Sequence, residues 1–293
     1  MTARICLWLA LTACVTSTAR SGDLLEWKLS TGESLKYTVQ NEMVTTSTVG
    51  GFDNQSRLLQ TMNMVWDVDT LTANRNFVVS QAIKRIRVEM SPNQSQSIVF
   101  DSGLKESPDD PFVRSLGNVF RKIVDRDFMV TMGPTGAIKD VSIPEDLLET
   151  LKTAAAGTPT GVDEPALKQM LSQTSVLLPT NPVENGDTWQ SQQTVELPFT
   201  TLRLDARMTY KGLDDNGLAV IDYSPTVTLE RKDDAPVKLT LTDSRGTGHV
   251  LFDRNQGRMV RMQLNLHMEM QSEIRGTKAL QKIDQQTVMV LKH

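Results

Sequence analysis

The residues of this sequence best suited to moving protons or binding metals at neutral pH are its three histidines, His249, His267 and His293. They form no catalytic spacing: H-E-x-x-H, G-x-S-x-G and the phosphate-cradling G-x-x-x-x-G-K-[ST] are all absent. His267 alternates onto the polar side of a period-two run, and His249 follows Gly246-Thr247-Gly248 in another extended stretch. Carboxylate pairs are the next source of chemistry. Asp67 and Asp69 fall on one strand face, where they could ligate a hard cation, and Asp214-Asp215-Asn216-Gly217 offers calcium-friendly oxygens. The simpler readings are a wet face and a hairpin turn. Trp27, Trp66 and Trp189 are dispersed at strand positions that core packing explains, so paired acids find no aromatic sugar platform beside them. Both cysteines, Cys6 and Cys14, lie among the first twenty residues, which leaves the body without thiolate, disulfide or Cys-ligated metal. The expectation is a non-enzyme with no catalytic residue, no metal and no cofactor.

If chemistry is sparse, the positioning elements carry the information. Val260, Met262, Leu264, Leu266, Met268 and Met270 alternate without a fault against Arg261, Gln263, Asn265, His267, Glu269 and Gln271. Period two means a strand with one apolar and one wet face. The same alternation marks Leu35-Tyr37-Val39, Met62-Met64-Trp66-Val68, Leu202-Leu204-Ala206-Met208-Tyr210, Val237-Leu239-Leu241 and Met289-Leu291, with Gly- and Asn-rich turns between. The spacing predicts about a dozen long antiparallel strands. In the centre, Asp109-Asp110-Pro111 caps a helix carrying Val119, Phe120 and Ile123. A second starts near Pro144 and a third at Asp163-Glu164-Pro165. The predicted fold class is therefore β-rich α+β: long antiparallel strands in a curved sheet or half-barrel, with about three central helices covering the concave face. A loop over 153–163 would gate that face.

Residues 1–20 read as an address. Arg4 precedes the apolar run Ile5–Leu11, and two cleavage readings stand side by side. Leu11-Thr12-Ala13-Cys14 resembles a bacterial lipobox, which would lipidate Cys14; Ser17 and Ala19 would instead suit ordinary signal-peptidase cleavage. The rest, 21–293, reads as one β-rich domain. Gly32-Glu33-Ser34-Leu35 echoes Gly186-Asp187-Thr188-Trp189, which suggests two pseudo-repeated halves (24–142 and 186–292) joined by a helical insert.

The whole chain has 293 residues, with 31 Lys and Arg against 35 Asp and Glu. A slightly acidic balance lacks the basic face a nucleic-acid partner demands. Six large apolar side chains on 260–270 alone represent about 10 kcal/mol if left wet, so something must cover them. The predicted ligand-lining set is Met62, Met64, Trp66, Leu204, Met208, Tyr210, Met262, Leu264, Leu266 and Met268. The expected partner is a hydrophobic small molecule or acyl chain, together with a membrane reached through a lipid anchor on Cys14. The alternative is a structural or protein-interaction module of the cell envelope without a ligand cavity.

Glu26-Trp27-Lys28, Gly32-Glu33-Ser34-Leu35-Lys36-Tyr37, Phe100-Asp101-Ser102, Gly136–Val141 and Pro182-Val183-Glu184-Asn185-Gly186-Asp187-Thr188-Trp189 together resemble a family of uncharacterised exported bacterial proteins. The resemblance implies a periplasmic or membrane-anchored location and a β-rich fold, and no activity. In architecture the strand–helix–strand order is similar to the half-barrel lipoprotein carriers and lipid-binding envelope lipoproteins, which clasp acyl chains between a concave sheet and its covering helices.

Overall fold

The structure, a computed structural model, describes residues 22–93, 97–104, 110–149, 168, 171, 175–196, 200–231, 238–274 and 277–292. Cys14 and the 153–163 loop lie outside them. The first half contains β1 (Ser34–Val49), β2 (Phe52–Leu71), β3 (Phe77–Pro92), β4 (Ile98–Asp101), α1 (Pro111–Ile123), β5 (Asp127–Met132) and β6 (Ile138–Ser142). The second contains β7 (Thr188–Glu196), β8 (Thr200–Leu213), β9 (Ala219–Arg231), β10 (Lys238–Asp253), β11 (Arg258–Ile274) and β12 (Thr277–Lys292). They form one open sheet in the order β6-β5-β3-β2-β1-β12-β11-β10-β9-β8-β7, with β4 added beside β3. All these strand pairs are antiparallel, as alternating sequences with one solvated face require. The first and last strands meet in the middle, from Lys36 opposite Lys292 to Val49 opposite Ala279.

The two echoing turns are built by the same bonds. Gly32 N–H donates to the Val68 carbonyl and Val68 N–H returns to Glu33; Gly186 N–H donates to Tyr210 and Tyr210 N–H returns to Asp187. In each turn the acid, Glu33 or Asp187, also accepts from a backbone N–H three residues earlier, Ser30 or Glu184.

The sheet is strongly curved, which follows from the chain crossing its base. The extended segment 22–31 bonds to the β5–β6 turn through Trp27 N–H to Pro134 O (2.8 Å) and, four residues earlier, to the approach to β7 through Asp23 and Val183. Four extended residues span about 13 Å, whereas the same strands laid flat would separate those points by about 45 Å. Open edges at β6 and β7 have thus been drawn towards each other around a shared interior.

Extended chain does much of the work expected of helices. The sequence predicts about three helices; among the described residues two are placed as continuous segments, α1 and a short helix over 145–149. The predicted third, from Asp163, falls largely outside the described residues; of it only Lys168 and Leu171, both helical, are placed. The interior is closed at its base by Leu25, Trp27 and Leu29 from segment 22–31 and by Val176 and Leu178, all buried. Period-two segments cover apolar surface as effectively as a helical stripe, so less helix is needed.

α1 begins as its sequence dictates. The Asp110 carboxylate accepts from Val113 N–H (3.0 Å), Pro111 occupies the first turn, and Arg121 and Lys122 face the negative end of the dipole. Val113, Phe120 and Ile123 are buried. A Cβ at Gly117 would lie 2.6 Å from the Phe100 ring, so the glycine lets α1 seat against β4.

A second close approach is at Gly257, in the β10–β11 turn. Its carbonyl accepts from Lys28 N–H (2.9 Å), its φ is +64°, and a Cβ there would stand 2.4 Å from the Lys28 nitrogen. Gly257→Ala combines left-handed strain with displacement of the base segment. We expect a loss of about 1–3 kcal/mol in equilibrium urea unfolding; an unchanged midpoint would show that segment 22–31 contributes nothing there.

Candidate ligand-binding face

The cross-strand registers sort every strand residue onto one of two faces. One transverse row of the inner face runs Ile86–Met62–Val39–Met289–Met262–Val250–Ile221–Tyr210. Apart from the half-buried Met262, these side chains are buried, and the row closes off the packed core. Below it lies an aromatic cluster. Trp66 sits 5.1 Å from Tyr37 and 5.9 Å from Trp27 between ring centroids, and Trp27 stands edge-on to Phe252 at 5.5 Å.

The polar tips of this cluster are held by backbone. Tyr37 Oη donates to Met259 O (3.0 Å), Trp27 Nε1 to Val176 O (3.2 Å) and Trp189 Nε1 to Leu177 O (2.8 Å). Burial pushes the Tyr37 phenol well above its ordinary pKa. Burial and then the hydrogen bond to Asp23 do the same for Tyr210, and Arg254 holds the other oxygen of that carboxylate. Trp66 Nε1 is the exception: it is buried and has no hydrogen-bond partner among the described residues.

The ten predicted lining residues divide at this level. Met62, Met64, Trp66, Met208 and Tyr210 are core, at 7%, 2%, 0%, 0% and 1% exposure. Leu204, Met262, Leu264, Leu266 and Met268 also face inward but are only half-buried. With Met270, Leu239 and Leu241 they make an apolar wall that continues beyond the packed core; from Leu264 to Met270 it runs about 20 Å.

Beside this wall the ladder between β9 and β10 stops. Their register ends at Tyr223 opposite Gly248. Pro225 follows with no N–H to give. Two residues on, Val227 N–H donates instead to the Ser244 hydroxyl (3.0 Å). A side chain therefore substitutes for the missing ladder bond.

On the other side of the wall, β1, β2 and β12 present neutral polar groups inward. Gln285 Nε2 donates to Asn41 Oδ1 (3.0 Å) and to Thr287 Oγ1 (3.3 Å), and Thr287 Oγ1 donates to Asn41 Oδ1 (3.1 Å). Gln60 stands opposite Asn41 in the register. Sequence reading missed this row. Its signal was there: past Val39 the alternation continues with Asn, Met, Thr and Ser at the inward positions 41, 43, 45 and 47 and never with a charge.

The charges are on the outer face. A groove of about 510 Å³ there is lined by Glu42, Arg245, Thr247, Asn265, His267 and Asp284, among others. His267 Nδ1 is 2.7 Å from Asp284, and its Nε2 is 3.6 Å from Glu269 and 3.9 Å from Asp243. Lys282, at 2.9 Å, holds the Glu269 carboxyl below the usual carboxylate range. His249 pairs with Asp222 at 2.8 Å. It stands opposite Gln263, about 13 Å along β11 from His267, so the two histidines share no site. Near α1, Arg85 forks onto Asp101 and lowers its pKa. Asp67 and Asp69 are exposed, and Asp214 Oδ1 accepts from Asn216 and Leu218 N–H, an ordinary turn. No group of His, Cys, Asp or Glu suited to a metal ion occurs among the described residues. His293 lies outside them.

An open antiparallel sheet whose inner face carries half-buried apolar side chains beyond its packed core defines the architecture. This chain belongs to a family of unknown function, DUF6263, whose profile matches residues 74–290. No curated protein matches the chain. Among solved structures, a lipovitellin structure described by its lipid–protein interactions is similar in fold, with a TM-score of 0.53 at 13% identity. The match covers 91% of this chain and 26% of that one, so the chain spans about a quarter of its length. An outer membrane channel from Pseudomonas putida F1 aligns at TM-score 0.22 and 8% identity, over 91% of this chain and 97% of that one. A DUF1329 family protein from Desulfovibrio piger aligns at 0.15 and 10%, over 86% and 84%.

Proposed function

We propose that this is an exported, non-catalytic protein that holds a hydrophobic, acyl-type ligand on the inner face of its sheet. The observation that carries the reading is the half-buried apolar wall of Leu204, Leu241, Leu264, Leu266, Met268 and Met270 beyond the closed core. Leaving such a wall wet forfeits about 25 cal/mol for each Å², and methionine suits an occupant of irregular shape. The fold similarity to lipovitellin supports an open sheet as scaffold for lipid. Export rests on the leader-like first twenty residues, and anchoring rests on acylation of Cys14, one chain being too weak alone to tether stably.

Native mass spectrometry after detergent-free purification is expected to show adducts with acyl-chain masses, and a fluorescent fatty-acyl probe should bind at micromolar concentration and be displaced by them. Protein uniformly free of adducts that also leaves the probe unbound would overturn the proposal. Intact mass of the protein from a bacterial membrane fraction tests the anchor: a mature chain beginning at acylated Cys14 is expected, and one beginning at Arg20 would refute it.

A further inference from the structure

On β1, β2, β10, β11 and β12 the inner face is uncharged far beyond the core that needs it to be. Along β1 the inward positions are Leu35, Tyr37, Val39, Asn41, Met43, Thr45 and Ser47; along β12 they are Leu291, Met289, Thr287, Gln285, Ile283, Gln281 and Ala279. β2, β11 and β10 continue the pattern, with no Asp, Glu, Lys, Arg or His at a described inward position. On the same strands the outward positions include Lys36, Glu42, Arg57, Asp243, Arg245, Arg261, Glu269, Lys282 and Asp284. The inner residues past the core are half-exposed. A face meeting only water would tolerate charge there as readily as the outer face does. One that must receive an uncharged, water-excluding occupant would not, since burying an unpaired charge costs far more than burying an amide.

The neutral polar groups are also local. Asn41, Thr287 and Gln285 cluster just above the closing row, beside Leu264 and Leu266 across β11. Their internal bonds use the Asn41 carbonyl oxygen twice as acceptor, which leaves the Asn41 amide N–H groups, without a partner among the described residues, to donate. Amide donors beside an apolar wall fit a carbonyl acceptor at the head of a hydrocarbon chain. A carboxylate would find donors too, but no cation among the described inward side chains of β1, β2, β10, β11 and β12 to offset the loss of its water.

Resting on the ligand-binding reading above, we infer that the inner face selects uncharged acyl compounds, esters or amides, over free fatty acids, with Asn41 donating to the ligand carbonyl and the Leu264–Met270 wall taking the chain. The test is a matched sixteen-carbon panel at about pH 8: palmitate, methyl palmitate, palmitamide and hexadecane, each competing against a fluorescent acyl probe. The ester and amide are expected to bind at least tenfold tighter than palmitate, and more tightly than hexadecane. Asn41→Leu should bring the ester down to the level of hexadecane while the thermal midpoint stays that of the parent. Palmitate binding as tightly as its ester would overturn this selectivity and leave the apolar site standing. Equal binding of hexadecane and ester would remove the role of Asn41. A protein that binds none of the four, nor the probe, would sink both this inference and the reading beneath it.

Discussion

Trp66→Ala is expected to lower the free energy of unfolding by about 3–5 kcal/mol. Trp66 is fully buried and touches both Tyr37 and Trp27, the two rings that join strand β1 to the base segment. Truncation leaves a cavity that backbone-anchored neighbours cannot collapse into, because Tyr37 and Trp27 are each pinned by a hydrogen bond to a carbonyl. Trp66→Phe should behave differently. The indole N–H has no partner among the described residues, and an unpaired buried donor carries a desolvation penalty of about 1–3 kcal/mol. Phenylalanine removes that penalty while keeping most of the packing, so the cost should be about 1 kcal/mol or less. Urea titrations of both variants decide the matter: a Phe variant as unstable as the Ala variant would mean that the indole nitrogen does have a partner.

The second large effect falls on binding and spares the fold. Leu266 is half-buried in the centre of the apolar wall, so Leu266→Asp replaces exposed apolar surface with a carboxylate that water can still reach in the free protein. Stability should change by about 1 kcal/mol at most. An acyl chain laid over that position would strip the water from the charge, so affinity for the acyl probe should fall at least a hundredfold, about 2.7 kcal/mol. Thr247→Asp is the control, since Thr247 is exposed on the outer face nearby on β10. Equal losses from the two variants, or none from Leu266→Asp, would place the ligand somewhere other than the inner face.

The strands were legible because alternation is a local property: the 260–271 run reads as one strand, and β11 spans Arg258–Ile274. The start of α1 was legible for the same reason, since Asp110 and Pro111 act on the next turn only. Two kinds of feature were not. The pairing of β1 with β12 joins residues some 250 positions apart, and no nearby residue encodes it. Segment 22–31 carries the alternation of a strand at Leu25, Trp27 and Leu29, but nothing near it names its partners, Pro134, Val183 and Gly257, which come from three distant turns and approaches. On the candidate site, alternation put these side chains on one face of the sheet but could not say where packing stops. Met62 and Leu264 look alike as letters, and only the base segment, which closes over one end of the interior, makes the first core and the second wall.

The meeting of β1 and β12 at the centre of the sheet has a kinetic consequence. Each half can zip up as a run of local hairpins, but joining them means closing a loop of roughly 250 residues, whose entropy cost must be met before the central ladder returns anything. Until β12 (Thr277–Lys292) has been made, β1 has no partner on that side. The two runs of hairpins therefore stay unjoined until β12 is in place, and β1 keeps one ladder edge open until then.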